Sequence, residues 1–116
     1  MEQNRQYRNK QKVSDILGAV AKIEKYLLGV TQEDFLDQKN DMMQDAVVRE
    51  LEIIGEAAKG LTREFWESYP DIAWFQIAGM RNKIVHDYEQ VDLVIVWDTI
   101  QEDVPKLKKV LQNTRA

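Results

Sequence analysis

The stretch Arg81-Asn82-Lys83-Ile84-Val85-His86-Asp87-Tyr88 gathers the residues of this chain best suited to phosphate and proton chemistry. His86 is the only histidine. An imidazole with its ordinary pKa of about 6.5 can give or take a proton near neutral pH. The guanidinium of Arg81 is a planar, permanently charged donor suited to a phosphate. Asn82, four residues before His86, shares its face if the segment is helical and could orient the imidazole by a hydrogen bond. Tyr88 carries a phenol whose ordinary pKa, near 10, suits substrate contact or regulation better than proton transfer at neutral pH. Each residue also has a plainer explanation. A lone histidine is more often structural, Arg81 could be buried against Glu50, Glu52 or Glu56, and Tyr88 could be a helix-end aromatic bonded to water or backbone.

Other chemistries find little support. With no cysteine there is no thiol nucleophile, no disulfide and no cysteine-ligated zinc. Glu52 and Glu56 lie four apart with no further ligand at suitable spacing, so neither a metal site nor a cofactor is expected. No glycine-rich phosphate loop occurs, and Ser14 and Ser68 sit in no nucleophile context.

The elements that must position the stretch read as helices throughout, because apolar residues recur at helical spacing and strand signals are absent. Val13, Ile16, Leu17, Val20, Ile23 and Leu27 form a stripe from about Val13 to Leu28, with Gly29 as its stop. Thr31 followed by Asp34 resembles a cap for a short segment through Leu36. A long helix is predicted over 41–61, with Met43, Ala46, Val47, Leu51, Ile54, Ala57, Ala58 and Leu61 on one face. Thr62 caps a short piece holding Phe65 and Trp66, and Pro70 closes it. The last helix starts at Asp92, an N-cap, and keeps phase through Pro105 to Leu111, which predicts a kinked helix and not two. Between them, a helix is predicted from Asp71 to about His86. It is apolar on two sides: Ile72, Phe75, Gly79, Asn82 and His86 along one, and Trp74, Ile77, Arg81, Ile84 and Tyr88 along the other. In a small bundle that pattern predicts self-association, with one side covered by a second chain. Trp74, Phe75 and Trp97 are expected in the core.

The 116 residues suffice for a single all-α domain, an up-and-down bundle of four to five main helices spanning 1–116. A net charge of −4 argues against a surface that binds nucleic acid everywhere, though not against a local basic site. The ends are basic, with Arg5, Arg8, Lys10 and Lys12 at one and Lys106, Lys108, Lys109 and Arg115 at the other, and 1–12 and 112–116 are expected to fray. The N-terminus leads into no apolar run, and no apolar stretch is long enough to span a bilayer. Neither a signal peptide nor membrane attachment is expected, and a cytoplasmic location follows as the expectation.

Arg81, four residues, His86, one residue and Tyr88 resemble the R-x4-H-x-Y signature of HepT-like HEPN proteins. Asn82 directly after the arginine is typical of HEPN ribonucleases. The surroundings fit as well: Arg49-Glu50-Leu51-Glu52-Ile53-Ile54-Gly55-Glu56-Ala57-Ala58, then Pro70, Trp74, Ile77, Gly79, Met80, Asp92, Val96-Trp97 and Pro105, so the resemblance runs from about Val13 to Leu111. It implies a homodimeric HEPN bundle and a metal-independent RNA endonuclease, the toxin of a prokaryotic type VII toxin–antitoxin pair. Arg81 and His86 would be catalytic and Asn82 supporting. The implied partners are RNA and a minimal nucleotidyltransferase antitoxin, MntA-like, that AMPylates Tyr88. Two other readings are a non-catalytic helical module that binds and positions a nucleotidyltransferase, and a nucleotide- or small-ligand-binding HEPN domain.

Overall fold

Helical periodicity organises the computed structural model, which describes residues 2–86 and 90–114. Among the described residues seven α-helices follow in order: α1 (Glu2–Tyr26), α2 (Gln32–Leu36), α3 (Asp41–Lys59), α4 (Arg63–Ser68), α5 (Trp74–Ala78), α6 (Met80–Ile84) and α7 (Leu93–Gln112). A 3-10 turn at Gln38–Asn40 leads into α3. The class is all-α, and the long helices α1, α3 and α7 form the frame.

The predicted stripes are the buried ones. Ile16, Val20 and Ile23 of α1 meet Val47, Leu51 and Ile54 of α3, while α7 adds Val96, Val104, Leu107 and Leu111. Burying each such aliphatic side chain fully contributes about 1.5–3 kcal/mol before the entropy of ordering is charged against it. α7 runs through Pro105 without a break, as its unbroken apolar phase required. The caps form as read: Thr31 and Asp34 close a reciprocal capping box on α2, and Thr62 accepts the Phe65 N–H at the start of α4.

Residues 2–12, expected to fray, are instead the first turns of α1. Arg8 Nε donates to the Gly60 carbonyl at 2.8 Å, and Asn9 exchanges two hydrogen bonds with Thr62. The start of α1 is thus tied to the end of α3, so these two helices run antiparallel.

The predicted helix over 71–86 is interrupted. It is α5 and α6 joined at Gly79, whose N–H bonds to the carbonyls of Phe75 and Ile77 and closes α5. Both pieces press closely on α3. A Cβ placed on Gly55 would lie 2.9 Å from Met80 Cβ and 3.0 Å from the Ile77 carbonyl oxygen, so only glycine admits this approach. Trp74, Ile77, Met80 and Ile84 turn inward and are buried. Phe75, expected in the core, is 85% exposed. It lies about 100° around the helix from Trp74, which takes the inward position. Among the described residues no helix is long and apolar enough to cross a membrane.

Candidate active site

α6 ends at Ile84 because Val85 turns extended, at φ −102° and ψ 128°. Val85 pairs with Val91 in an isolated antiparallel bridge. Two backbone bonds flank it, His86 N–H to the Gln90 carbonyl at 2.8 Å and Asp92 N–H to the Ile84 carbonyl at 2.7 Å. Side chains alternate along extended backbone, so His86 and Asp92 project on the same side of this pairing, diagonally across it. The imidazole Nε2 of His86 lies 3.3 Å from Asp92 Oδ2. The other oxygen of that carboxylate caps α7, accepting from Val94 N–H at 3.0 Å and Ile95 N–H at 3.1 Å.

His86 therefore leaves the helix that carries Arg81 and Asn82. The expectation that Asn82 and His86 share one helix face is corrected, because α6 stops at Ile84, short of the histidine. The group beside the imidazole is Asp92, which the sequence had offered only as a cap. Asp92 lies six positions after His86, and only the pairing of Val85 with Val91 brings the two together.

Arg81 points toward α3. Its Nη1 lies 3.3 Å from Glu52 Oε2, one of the three carboxylates expected to face it. The arginine is not buried, since its side chain is 59% exposed. Next to it opens a cleft of about 660 Å³ between α1, α3 and the α5–α6 junction. Arg81, Asn82, Arg49 and Lys12 reach this cleft, together with Glu52 and Glu56. Asn82 also borders a shallower hollow of about 390 Å³ beside the exposed ring of Phe75. Lys83 forms an ion pair with Asp103, tying α6 to α7 and fixing the azimuth at which α6 presents its neighbours.

The motif is thus held at two anchor points, Arg81 on α3 and His86 on the start of α7. Tyr88 lies outside the described residues. A guanidinium and an imidazole, both open to solvent, can engage a phosphate and exchange a proton with a neighbouring hydroxyl. Among the described residues no group of three His, Asp or Glu side chains is placed to hold a metal ion.

Comparisons with known proteins converge. Residues 16–114 match the family described as HepT-like, ribonuclease HepT-like. A protein of Thermococcus cleftensis named as a probable ribonuclease HepT is 40% identical over 107 residues, which is 92% of this chain and 96% of its own. A protein of Caldanaerobacter subterraneus subsp. tengcongensis, named provisionally as an RNase, is 46% identical over 73% of this chain and 74% of its own. One from Methanocaldococcus jannaschii, named as a gamma-glutamylcyclotransferase and provisionally as an RNase, is 42% identical over 84% of this chain and 43% of its own. No solved structure matches the chain.

Proposed function

The chain belongs to the HepT-like ribonuclease family, and from that membership we propose that it is a metal-independent RNA endonuclease, the toxin of a type VII toxin–antitoxin pair. The observation that carries the reading is the accessibility of the two motif residues. The side chains of Arg81 and His86 are 59% and 57% exposed, although each stands beside a carboxylate. Both side chains are therefore open to a phosphate and a ribose hydroxyl that approach from solvent.

In the proposed reaction Arg81 holds the scissile phosphate and offsets the charge that builds on its oxygens. His86 takes the proton of the ribose 2′-hydroxyl. The 2′-oxygen then bonds to phosphorus, the bond from phosphorus to the 5′-oxygen breaks, and that oxygen takes a proton from water. The products are a 2′,3′-cyclic phosphate and a 5′-hydroxyl. Asn82 supports Arg81 on the cleft. A homodimer would bring Arg81 of one copy and His86 of another toward a shared seam, which suits a motif anchored at two separate places. The antitoxin would be a nucleotidyltransferase that attaches AMP to Tyr88. That adduct places anionic phosphate and bulk beside Arg81, and both oppose RNA binding.

The test is growth arrest on expression in a bacterial host. Arg81→Ala and His86→Ala should each abolish it at unchanged protein level. A fully toxic His86→Ala protein would leave the histidine structural and refute the reading.

A further inference from the structure

His86 and Asp92 stand 3.3 Å apart across the Val85–Val91 pairing, and the pairing fixes both ends of that contact. We propose that Asp92 is a positioning residue for His86: its carboxylate holds the imidazole with the proton on Nε2 and leaves the Nδ1 lone pair to exchange a proton with the RNA ribose. The inference rests on the ribonuclease reading above and adds to it a group outside the R-x4-H-x-Y motif.

Three observations carry it. First, Asp92 is held from two directions. Its N–H donates to the Ile84 carbonyl and its Oδ1 receives two N–H groups of α7, which leaves Oδ2 as the oxygen 3.3 Å from the imidazole Nε2. Second, His86 is held through its backbone by the Gln90 carbonyl at 2.8 Å, which sets the ring on the same side of the pairing as Asp92. Third, the imidazole is 57% exposed while the carboxylate is 35% exposed, so the ring edge away from Asp92 faces solvent. A neutral imidazole has one N–H and one lone pair, and a carboxylate only accepts. The acceptor at Nε2 therefore selects the tautomer protonated there. Contacts of this kind commonly shorten once substrate is bound.

Asp92 also caps α7, and the two roles separate cleanly in one variant. Asparagine caps a helix about as well as aspartate. In Asp92→Asn the single side-chain oxygen stays on the Val94 and Ile95 N–H groups, and the new amide N–H turns toward His86. That donor favours the opposite tautomer, with the lone pair on Nε2 and the proton on Nδ1.

The experiment joins two readouts on wild type and Asp92→Asn. His86 is the only histidine, so the imidazole nitrogens in a 15N-labelled protein give one unambiguous set of NMR signals. Wild type should show the proton on Nε2 and the variant should show it on Nδ1. In RNA cleavage the variant should lose roughly 100- to 10,000-fold in kcat, the order seen when a histidine is left in the wrong tautomer. KM should change little, and the melting temperature should stay within a few degrees. An identical tautomer in both proteins, or wild-type kcat in Asp92→Asn, would overturn the proposal while leaving the ribonuclease reading in place. Wild type that cleaves no RNA would overturn both.

Discussion

Asp92 faces His86 with one carboxylate oxygen and caps α7 with the other. A helix start and a candidate proton-transfer group thereby share a single side chain. α7 is among the most deeply packed elements, with Val96, Leu107 and Leu111 almost fully buried. The histidine is in this way referenced to the core although its own ring is exposed, which is the arrangement a preorganised base requires.

The approach of α6 to α3 should be as restrictive as the contacts at Gly55. In Gly55→Ala the new methyl meets Met80 Cβ and the Ile77 carbonyl within about 3 Å. Overpacking of this kind costs about 1–3 kcal/mol. A melting temperature lowered by several degrees, with reduced RNA cleavage as Arg81 shifts off α3, is the expected outcome. Unchanged stability by thermal unfolding would show that the two elements separate freely.

Self-association should run through the outward side of α5. Phe75 exposes 85% of its surface beside a hollow lined by Gly79 and Asn82. Light scattering should find a dimer for wild type at micromolar concentration and a monomer for Phe75→Glu. A stable wild-type monomer would rule out a seam on this face.

Much of this was legible in the sequence, and the exceptions have a common cause. The stripe through Val96, Ile100, Val104, Leu107 and Leu111 lies buried where its period placed it, and the caps at Thr31, Thr62 and Asp92 form. These are local properties, set by spacing and by the orphan N–H groups of a helix start. The rest depends on partners distant in sequence. Asn9 meets Thr62 across 53 residues and turns an expected loose end into helix. Val85 meets Val91 and ends α6 before His86, which no helical wheel can register. Phe75 is outside because Trp74 occupies the inward place against Phe65 and Trp66. Three glutamates were available to Arg81, and only the docking of α6 on α3 selects Glu52.

The proposed control through Tyr88 rests on its place in the motif, two residues beyond His86. In the expected reaction the phenol oxygen attacks the α-phosphorus of ATP, loses its proton and releases pyrophosphate. After incubation with a minimal nucleotidyltransferase of the proposed antitoxin type, ATP and magnesium, intact mass should show wild type gaining one or more AMP units and losing cleavage activity. Tyr88→Phe should gain none and remain active. Equal AMP gain on Tyr88→Phe would move the modification to another residue, and inhibition of unmodified wild type would favour steric masking.

In the proposed reaction Arg81 and His86 together cleave RNA by acid–base chemistry on the 2′-hydroxyl. The most direct measurement is mass spectrometry of the fragments formed from a defined RNA by the purified protein in excess EDTA. The fragments should end in 2′,3′-cyclic phosphate and 5′-hydroxyl. They should be absent with Arg81→Ala or His86→Ala, and absent where the ribose at the cut site is replaced by 2′-deoxyribose. Cleavage that needs magnesium or manganese, or that leaves 5′-phosphate ends, would contradict this chemistry.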